Sequence, residues 1–305
     1  MKELYNEYSK YLKEKYGEKV YKLPINIPVT CPNRDGSLGV GGCTFCAAEG
    51  PGHELLSNKL SVKEQLIKNR DYIKEKYKAK KFIAYFQNYT NTYLDLERFK
   101  SYVLETLIED VVEVAVSTRP DCVSDEYLEF LKEFSHKNNI NISIELGLQT
   151  VNYHTLKKIN RGHTLAEFID AVLKIKKYGF EICVHVILNL PFDDMEDVVE
   201  TAKILSVLKV EQVKLHSLYI MENTVMEKQL KNNEITLLPK EDYIDRVIAF
   251  LENLDENIVV QRLLGRAPKE GSLFVNWGES WWKIRDEIEE KMRADNSYQG
   301  KNIKK

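Results

Sequence analysis

Apolar, strand-like runs recur along this chain roughly every thirty residues, and no other sequence feature restricts the fold as much. They fall at residues 81–87, 111–118, 142–149, 182–190 and 212–220, after a first run at 20–29. Amphipathic stretches lie between them, at 61–77, 94–109, 124–138, 164–178 and 195–208. Two open with capping-box pairs, Ser61 with Glu64 and Thr164 with Glu167, and one stops at Gly179 behind Lys176 and Lys177. Strands that alternate with helices at this spacing pair in parallel through right-handed crossovers. Six such units are too few to close an eight-stranded barrel. The expectation is an α/β protein with a partial (βα)6 TIM-like barrel and a functional site at the C-terminal ends of the strands. An open Rossmann-like sheet is the alternative. No Gly-x-Gly-x-x-Gly follows any strand, which weakens a dinucleotide site.

Residues 1–19 read as a short N-terminal helical extension, charged throughout and without the apolar core of an export signal. The barrel is expected over 20–235. Residues 236–305 read as a C-terminal α/β appendage packed on it: a helix at 241–254, a short strand at 258–263, a Gly/Pro-rich loop at 265–271 and a helix at 279–293. No window approaches eighteen uncharged apolar residues, so no membrane partner is expected, and the expected compartment is a reducing cytoplasm. With 47 acidic and 44 basic residues the net charge is -3, which excludes a protein that coats nucleic acid by bulk charge.

There are five cysteines, at 31, 43, 46, 122 and 183. An odd number with three inside one loop excludes a disulfide framework and points to a metal or redox site. The loop, residues 30–46, reads TCPNRDGSLGVGGCTFC, with spacing Cys-x11-Cys-x2-Cys directly after the first strand. Three thiolates can hold three irons of a [4Fe-4S] cubane and leave the fourth iron open. Cys43 and Cys46 equally form a zinc half-site that Cys31 and His53 would complete. The loop alone divides these two readings evenly, with chance clustering of buried thiols a distant third.

In its context the loop resembles the radical S-adenosylmethionine (radical SAM) superfamily, and Phe45 matches that superfamily's usual aromatic before the third cysteine. The spacing is longer than the common Cys-x3-Cys-x2-Cys. The chain is similar over nearly its whole length to the YtqA/YhcC-type bacterial group related to the catalytic subunit of Elongator. The motifs that carry the likeness are CPNRDGSLGVGGCTFC (31–46), AYFQNYTNTY (84–93), STRPDC (117–122), ELGLQT (145–150), NRGH (160–163), KLHSLYI (214–220) and YQGK (298–301).

The resemblance implies a [4Fe-4S] cluster on Cys31, Cys43 and Cys46, and S-adenosylmethionine as the second cofactor. It makes Phe45, Gln87, Asn88, Ser117, Arg119, Glu145, Gln149, Arg161, Asn189, Leu190 and Pro191 the candidate cofactor contacts. Several departures stand out. Residues 87–91 replace a usual Gly-Gly-Glu, so the carboxylate expected near the methionine ammonium is missing. Asn189 and Phe192 replace glycines of a Gly-Leu-Pro-Gly turn. Arg119 suits a carboxylate or phosphate, with an ion pair to Asp121 or Asp125 as the plainer reading. Glu145, a charge between apolar neighbours, is expected to face the barrel interior and meet ribose hydroxyls, with a structural ion pair as the alternative. Tyr89, Lys214, His216 and Cys122 are the candidate catalytic residues. Lys214 and His216 share one face of the sixth strand, and Cys183 reads as core.

By the same resemblance the substrate is the wobble uridine, position 34, of tRNA. The implied step converts 5-carboxymethylaminomethyl-(2-thio)uridine to the 5-aminomethyl form, with an external electron donor such as flavodoxin or ferredoxin. Basic stretches at 74–81, 156–161 and 174–177, and the tail residues Arg262, Arg266, Trp277, Trp281 and Trp282, are candidate tRNA contacts. A radical SAM enzyme acting on a small molecule or peptide, and a non-enzymatic zinc protein on the same barrel, are the alternatives.

Overall fold

The computed structural model describes residues 3–47, 55–266 and 271–303. Helix α1 (Tyr8–Tyr16) leads into β1 (Val20–Ile25). The alternation then runs α2 (Val62–Tyr77), β2 (Lys81–Phe86), α3 (Leu96–Leu104), β3 (Val111–Thr118), α4 (Asp125–Asn138), β4 (Asn141–Gln149), α5 (Tyr153–Lys158), α6 (Leu165–Tyr178), β5 (Glu181–Ile187), α7 (Met195–Leu208) and β6 (Gln212–His216). It closes with β7 (Ile220–Met221), α8 (Val225–Lys231), α9 (Lys240–Glu252), β8 (Val259–Arg262), β9 (Ser272–Phe274) and α10 (Trp281–Ala294).

Strands β1 to β6 and then β8 form one seven-stranded parallel sheet in that order, curled into a half-barrel with the helices between strands. The expected partial barrel is therefore present, with one more strand than the six units read from the repeat. The seventh, β8, is the short strand expected in the C-terminal appendage. Its repeat is hidden because β7, α8 and α9 lengthen the crossover from β6, and because the strand itself is only four residues long. β7 pairs antiparallel with β9 in a separate two-stranded sheet. No helix among the described residues is long and apolar enough to cross a membrane.

Local sequence explains the outer helices. In α6 the Thr164 hydroxyl accepts from the Glu167 N–H, while the Glu167 carboxylate accepts from the Thr164 N–H at 2.7 Å. Its buried residues, Phe168, Ala171, Val172 and Ile175, recur at helical spacing on one face. Gly179, at φ 75°, ends the helix in the left-handed region that glycine adopts without strain.

Helix α1 seats against the N-terminal ends of the strands, which fixes where the functional face is. The Tyr16 hydroxyl donates to Glu113 on β3 at 2.5 Å, and the Tyr11 hydroxyl to Glu181 on β5 at 2.6 Å. Lys15 pairs with both carboxylates, at 3.3 and 2.7 Å. Leu12 packs with Val20, Ile83, Tyr85 and Ala115, so α1 fills the lower barrel interior. Just before it, the Asn6 carbonyl accepts from the Val260 N–H at 2.8 Å. That contact covers the otherwise free edge of β8.

Candidate functional site

The loop after β1 is folded by its own backbone. Arg34 N–H donates to the Cys31 carbonyl at 2.8 Å, Gly42 N–H to Asn33 at 2.8 Å, and Cys46 N–H to Cys43 at 2.9 Å. Gly39 is required where it stands, since a Cβ there would fall 2.5 Å from the Asn33 side-chain oxygen. Cys31 and Cys43 are buried and Cys46 is half-buried. Each thiol faces one guanidinium. Arg119 Nη1 lies 3.8 Å from Cys31 Sγ, Arg161 Nη1 3.6 Å from Cys43 Sγ, and Arg34 Nη1 3.3 Å from Cys46 Sγ. The arginines are themselves held. Arg119 grips Asp121 with Nε and Nη2 at 2.9 and 2.8 Å. Arg161 Nη2 donates to the Gly147 carbonyl at 2.7 Å, and a Cβ at Gly147 would lie 2.6 Å from that nitrogen. Burial, then Cys43 beside it, pushes the Cys46 thiol up to about 11, and Arg34 opposes this.

The thiols fit a cluster better than a single ion. Zinc draws thiolates to about 3.8 Å from one another, given Zn–S near 2.3 Å. Among the described residues, Glu145, Cys183 and His185 alone place three such ligand atoms within 4.8 Å of one another. The three loop thiols therefore stand farther apart than one tetrahedral ion requires. His53, the fourth ligand of a zinc site, lies outside the described residues. A cubane holds thiolates at wider spacing, and cationic donors around its sulfurs stabilise the added negative charge.

One layer deeper, side chains from three other strands meet Glu145 of β4. Both its oxygens are engaged: Oε1 by Lys22, and Oε2 by Lys214 and by His185 Nε2, each at 2.6 Å. Burial alone would raise this carboxyl, but Lys214 and Lys22 outweigh it and hold it well below the usual carboxylate range. The metal-like trio of Glu145, Cys183 and His185 is thus an ion-pair hub, and burial pushes the Cys183 thiol up to about 12. Lys214 also reaches the Tyr85 hydroxyl at 3.3 Å. Burial draws Lys214 down to about 8, against the pull of Glu145.

The histidines form a one-way donor chain. Arg262 Nη2 donates to His216 Nδ1 at 2.8 Å, His216 Nε2 to His185 Nδ1 at 3.2 Å, and His185 Nε2 to Glu145. A guanidinium can only donate, so this order fixes both tautomers. Burial first, then the neighbouring cations, holds His185 down to about 4 and His216 well below its ordinary range. Both rings are neutral near pH 7.

A cavity of 1220 Å³ joins the thiols to this layer. Of the residues read from sequence, Phe45, Gln87, Tyr89, Ser117, Arg119, Glu145, Gln149, Arg161, Lys214 and His216 line it with the three cysteines. Gln149 sits at φ 79° beside an irregularity in the β4–β5 register, which turns it at the strand end. Other expected positions do not line the cavity. Asn189 spends its side-chain oxygen on the Leu218 N–H at 2.6 Å, which ties the β5 turn to the segment after β6; Leu190 is buried in a satellite apolar cluster, and Pro191 follows it on that turn. Asn88 is buried with its amide on Asn26 at 3.3 Å. Cys122 closes a three-residue turn after β3, beside Arg119, and burial pushes its thiol up to about 12. Glu145 lines the cavity and forms the ion pair weighed against a ribose contact. Arg262, expected on an RNA-facing surface, points into the barrel.

Sequence reasoning missed Arg34, Lys22, Tyr85 and His185. Lys22 carried the signal that exposed Glu145, a lone charge inside an apolar strand. Arg34 carried none, because its partner Cys46 is set by the loop's fold.

Comparison with known proteins agrees with this geometry. The Radical SAM superfamily model matches residues 25–205, and the Radical_SAM C-terminal domain model matches 210–294. The protein YtqA of Bacillus subtilis (strain 168) is 36% identical over 301 residues, covering 97% of this chain and 92% of YtqA. The tRNA uridine(34) acetyltransferase of Methanocaldococcus jannaschii is 27% identical over 158 residues, 49% of this chain and 27% of that protein. Among solved structures, the Methanocaldococcus infernus Elp3 lacking its N-terminus (1–46) superposes with a TM-score of 0.70 at 15% identity. It covers 92% of this chain, which spans 64% of that Elp3 chain, and the likeness is one of fold. Three thiols on one loop at the mouth of a parallel half-barrel, together with a family match over more than half its length, make this chain a member of the radical SAM superfamily, whose members bind a [4Fe-4S] cluster and S-adenosylmethionine.

Proposed function

We propose that this radical SAM enzyme acts on the wobble uridine, position 34, of tRNA and trims 5-carboxymethylaminomethyl-(2-thio)uridine to the 5-aminomethyl form, the C–N bond to the carboxymethyl group breaking and its two carbons leaving as glyoxylate, with S-adenosylmethionine the two-electron oxidant and water the source of the new oxygen. The observation that carries this reading is the single cavity, 1220 Å³, that runs from the three thiols to a cation-rich interior. Its volume exceeds the roughly 300–1,000 Å³ of a typical ligand pocket, so it has room for a cofactor and one extruded nucleoside. The partial relative named for uridine 34 of tRNA supports the same substrate.

Cys31, Cys43 and Cys46 would hold the cluster, with Arg119, Arg161 and Arg34 against their sulfurs. When bound, the cofactor pair supplies a 5′-deoxyadenosyl radical that takes hydrogen from an unreactive carbon. Phe45 and Gln87 wall the upper cavity, and Lys214, His216 and Tyr85 its floor. The electron would come from an external flavodoxin- or ferredoxin-type donor, in the cytoplasm.

The parallel sheet sorts the basic stretches. Residues 74–81 and 174–177 lead into the N-terminal ends of β2 and β5, the end remote from the site. Residues 156–161 follow β4 at the site's own end. There Lys157 lies over the ring of the exposed Tyr153 at 4.5 Å, a cation–aromatic pair suited to an RNA backbone and base. The deciding experiment is modified-nucleoside analysis of tRNA from a strain lacking the gene. Accumulation of the 5-carboxymethylaminomethyl nucleoside is expected, and an unchanged nucleoside profile would overturn the reading. Binding of tRNA should weaken steeply with salt.

A further inference from the structure

We propose that Arg262, with Lys214 and His216, forms an anion-binding subsite on the cavity floor that recognises a carboxylate carried by the substrate. The charge balance of the floor demands a counter-ion. Lys22, Lys214 and Arg262 line the cavity, and Glu145 is the one carboxylate beside them. The facing His185 and His216 are neutral, and Tyr8, Tyr85, Tyr219 and Cys183 keep their protons. Farther down, Glu113 and Glu181 share the one cation Lys15 and accept from the tyrosines of α1, so this layer offsets one of the floor's two excess positive charges and leaves one. Buried charge without a partner is costly.

Arg262 is the cation left over. Lys22 and Lys214 share Glu145, whereas Arg262 makes no ion pair among the described residues. It gives Nη2 to His216, and its buried Nε has no hydrogen-bond partner among the described residues. A guanidinium edge with free N–H groups matches the two oxygens of a carboxylate. Gly265 leaves the space open, since a Cβ there would press to 3.3 Å from Arg262 Nη2 and 3.6 Å from His216 Nδ1. S-adenosylmethionine carries two positive charges to one negative, so its binding adds to the positive excess. The substrate must supply the balance.

This inference rests on the uridine reading only for what carries the carboxylate. Its test is calorimetric titration of the full chain, as wild type, Arg262→Gln and Arg262→Lys. The ligands are 5-carboxymethylaminomethyluridine and its methyl ester, then N-methylglycine and its methyl ester. Wild type is expected to prefer each acid over its ester by about tenfold or more. Arg262→Gln should erase the preference, and Arg262→Lys, which keeps charge but not the fork, should retain part of it. Equal binding of acid and ester by wild type, or a preference unchanged in Arg262→Gln, overturns the subsite. If neither nucleoside binds while the N-methylglycine preference still depends on Arg262, the subsite stands and the uridine reading falls. Inorganic phosphate displacing N-methylglycine at much lower concentration would overturn the carboxylate assignment in favour of a phosphate.

Discussion

The rim of the cavity and the layer beneath it solve opposite electrostatic problems. At the rim, three cysteines meet three arginines, an arrangement that awaits negative charge from a cluster and its thiolates. Beneath, one carboxylate already anchors two lysines and a histidine, and a third cation is left facing the cavity. The rim is local: its thiols come from one loop and need an added group to become stable. The floor is long-range: Lys22, Glu145, His185, Lys214 and Arg262 come from five different strands and lock one another in place. The rim should therefore govern cofactor loading with little effect on folding, and the floor should govern folding and substrate choice.

The largest expected effect is at the rim. Changing Cys31, Cys43 or Cys46 to Ala should remove S-adenosylmethionine cleavage and most bound iron, measured by turnover and by iron and sulfide assay. Full turnover in all three variants would break the assignment. Next comes Glu145→Gln on the floor. It strands Lys22 and Lys214 without a carboxylate, a loss of about 3–5 kcal/mol for a buried pair with one partner removed. In a chain this long that is a fall in melting temperature of roughly 10 °C. Iron content per folded chain should hold, and its loss would show that the two layers are one unit.

A third test is pH. His185 is held at about 4, while the unfolded side chain titrates near 6.5. Between those values the unfolded chain takes a proton that the folded chain refuses. Its stability is fully present above about 6.5 and is lost progressively as pH falls towards 4. His163, pushed down to about 3 by burial and then Arg161, acts in the same sense. Urea melts across that window should show the slope, and His185→Gln should reduce it, His163 and His216 carrying the rest; an unaltered slope would place the titration elsewhere. The smallest effect is expected from Arg34→Gln. Losing one donor to Cys46 costs about 1 kcal/mol and should speed iron loss to a chelator several-fold without changing thermal stability.

Much of the barrel was legible because strand and helix periods repeat through β6, and because capping boxes and Gly179 mark helix ends. Legibility failed at β8, where an inserted strand and helix stretched the spacing. At the site, the three cysteines were readable because their ligand chemistry lies within sixteen residues. Asn189–Pro191 follow the family's pattern in position, yet here Asn189 ties the β5 turn to the Leu218 N–H and Leu190 enters an apolar cluster. No pattern announces Arg34 against Cys46, since contact between them depends on how the loop closes.

The sequence by itself determined the α/β alternation, the three-thiol loop and the odd charges in apolar strands, since each is written in local period or spacing. Tertiary structure alone decided that Arg262 enters the barrel, that both histidines stay neutral and that Glu145 joins two lysines and a histidine. Those outcomes depend on distances between strands far apart in the chain, and charge neutralisation, hydrogen-bond direction and burial all act through such distances.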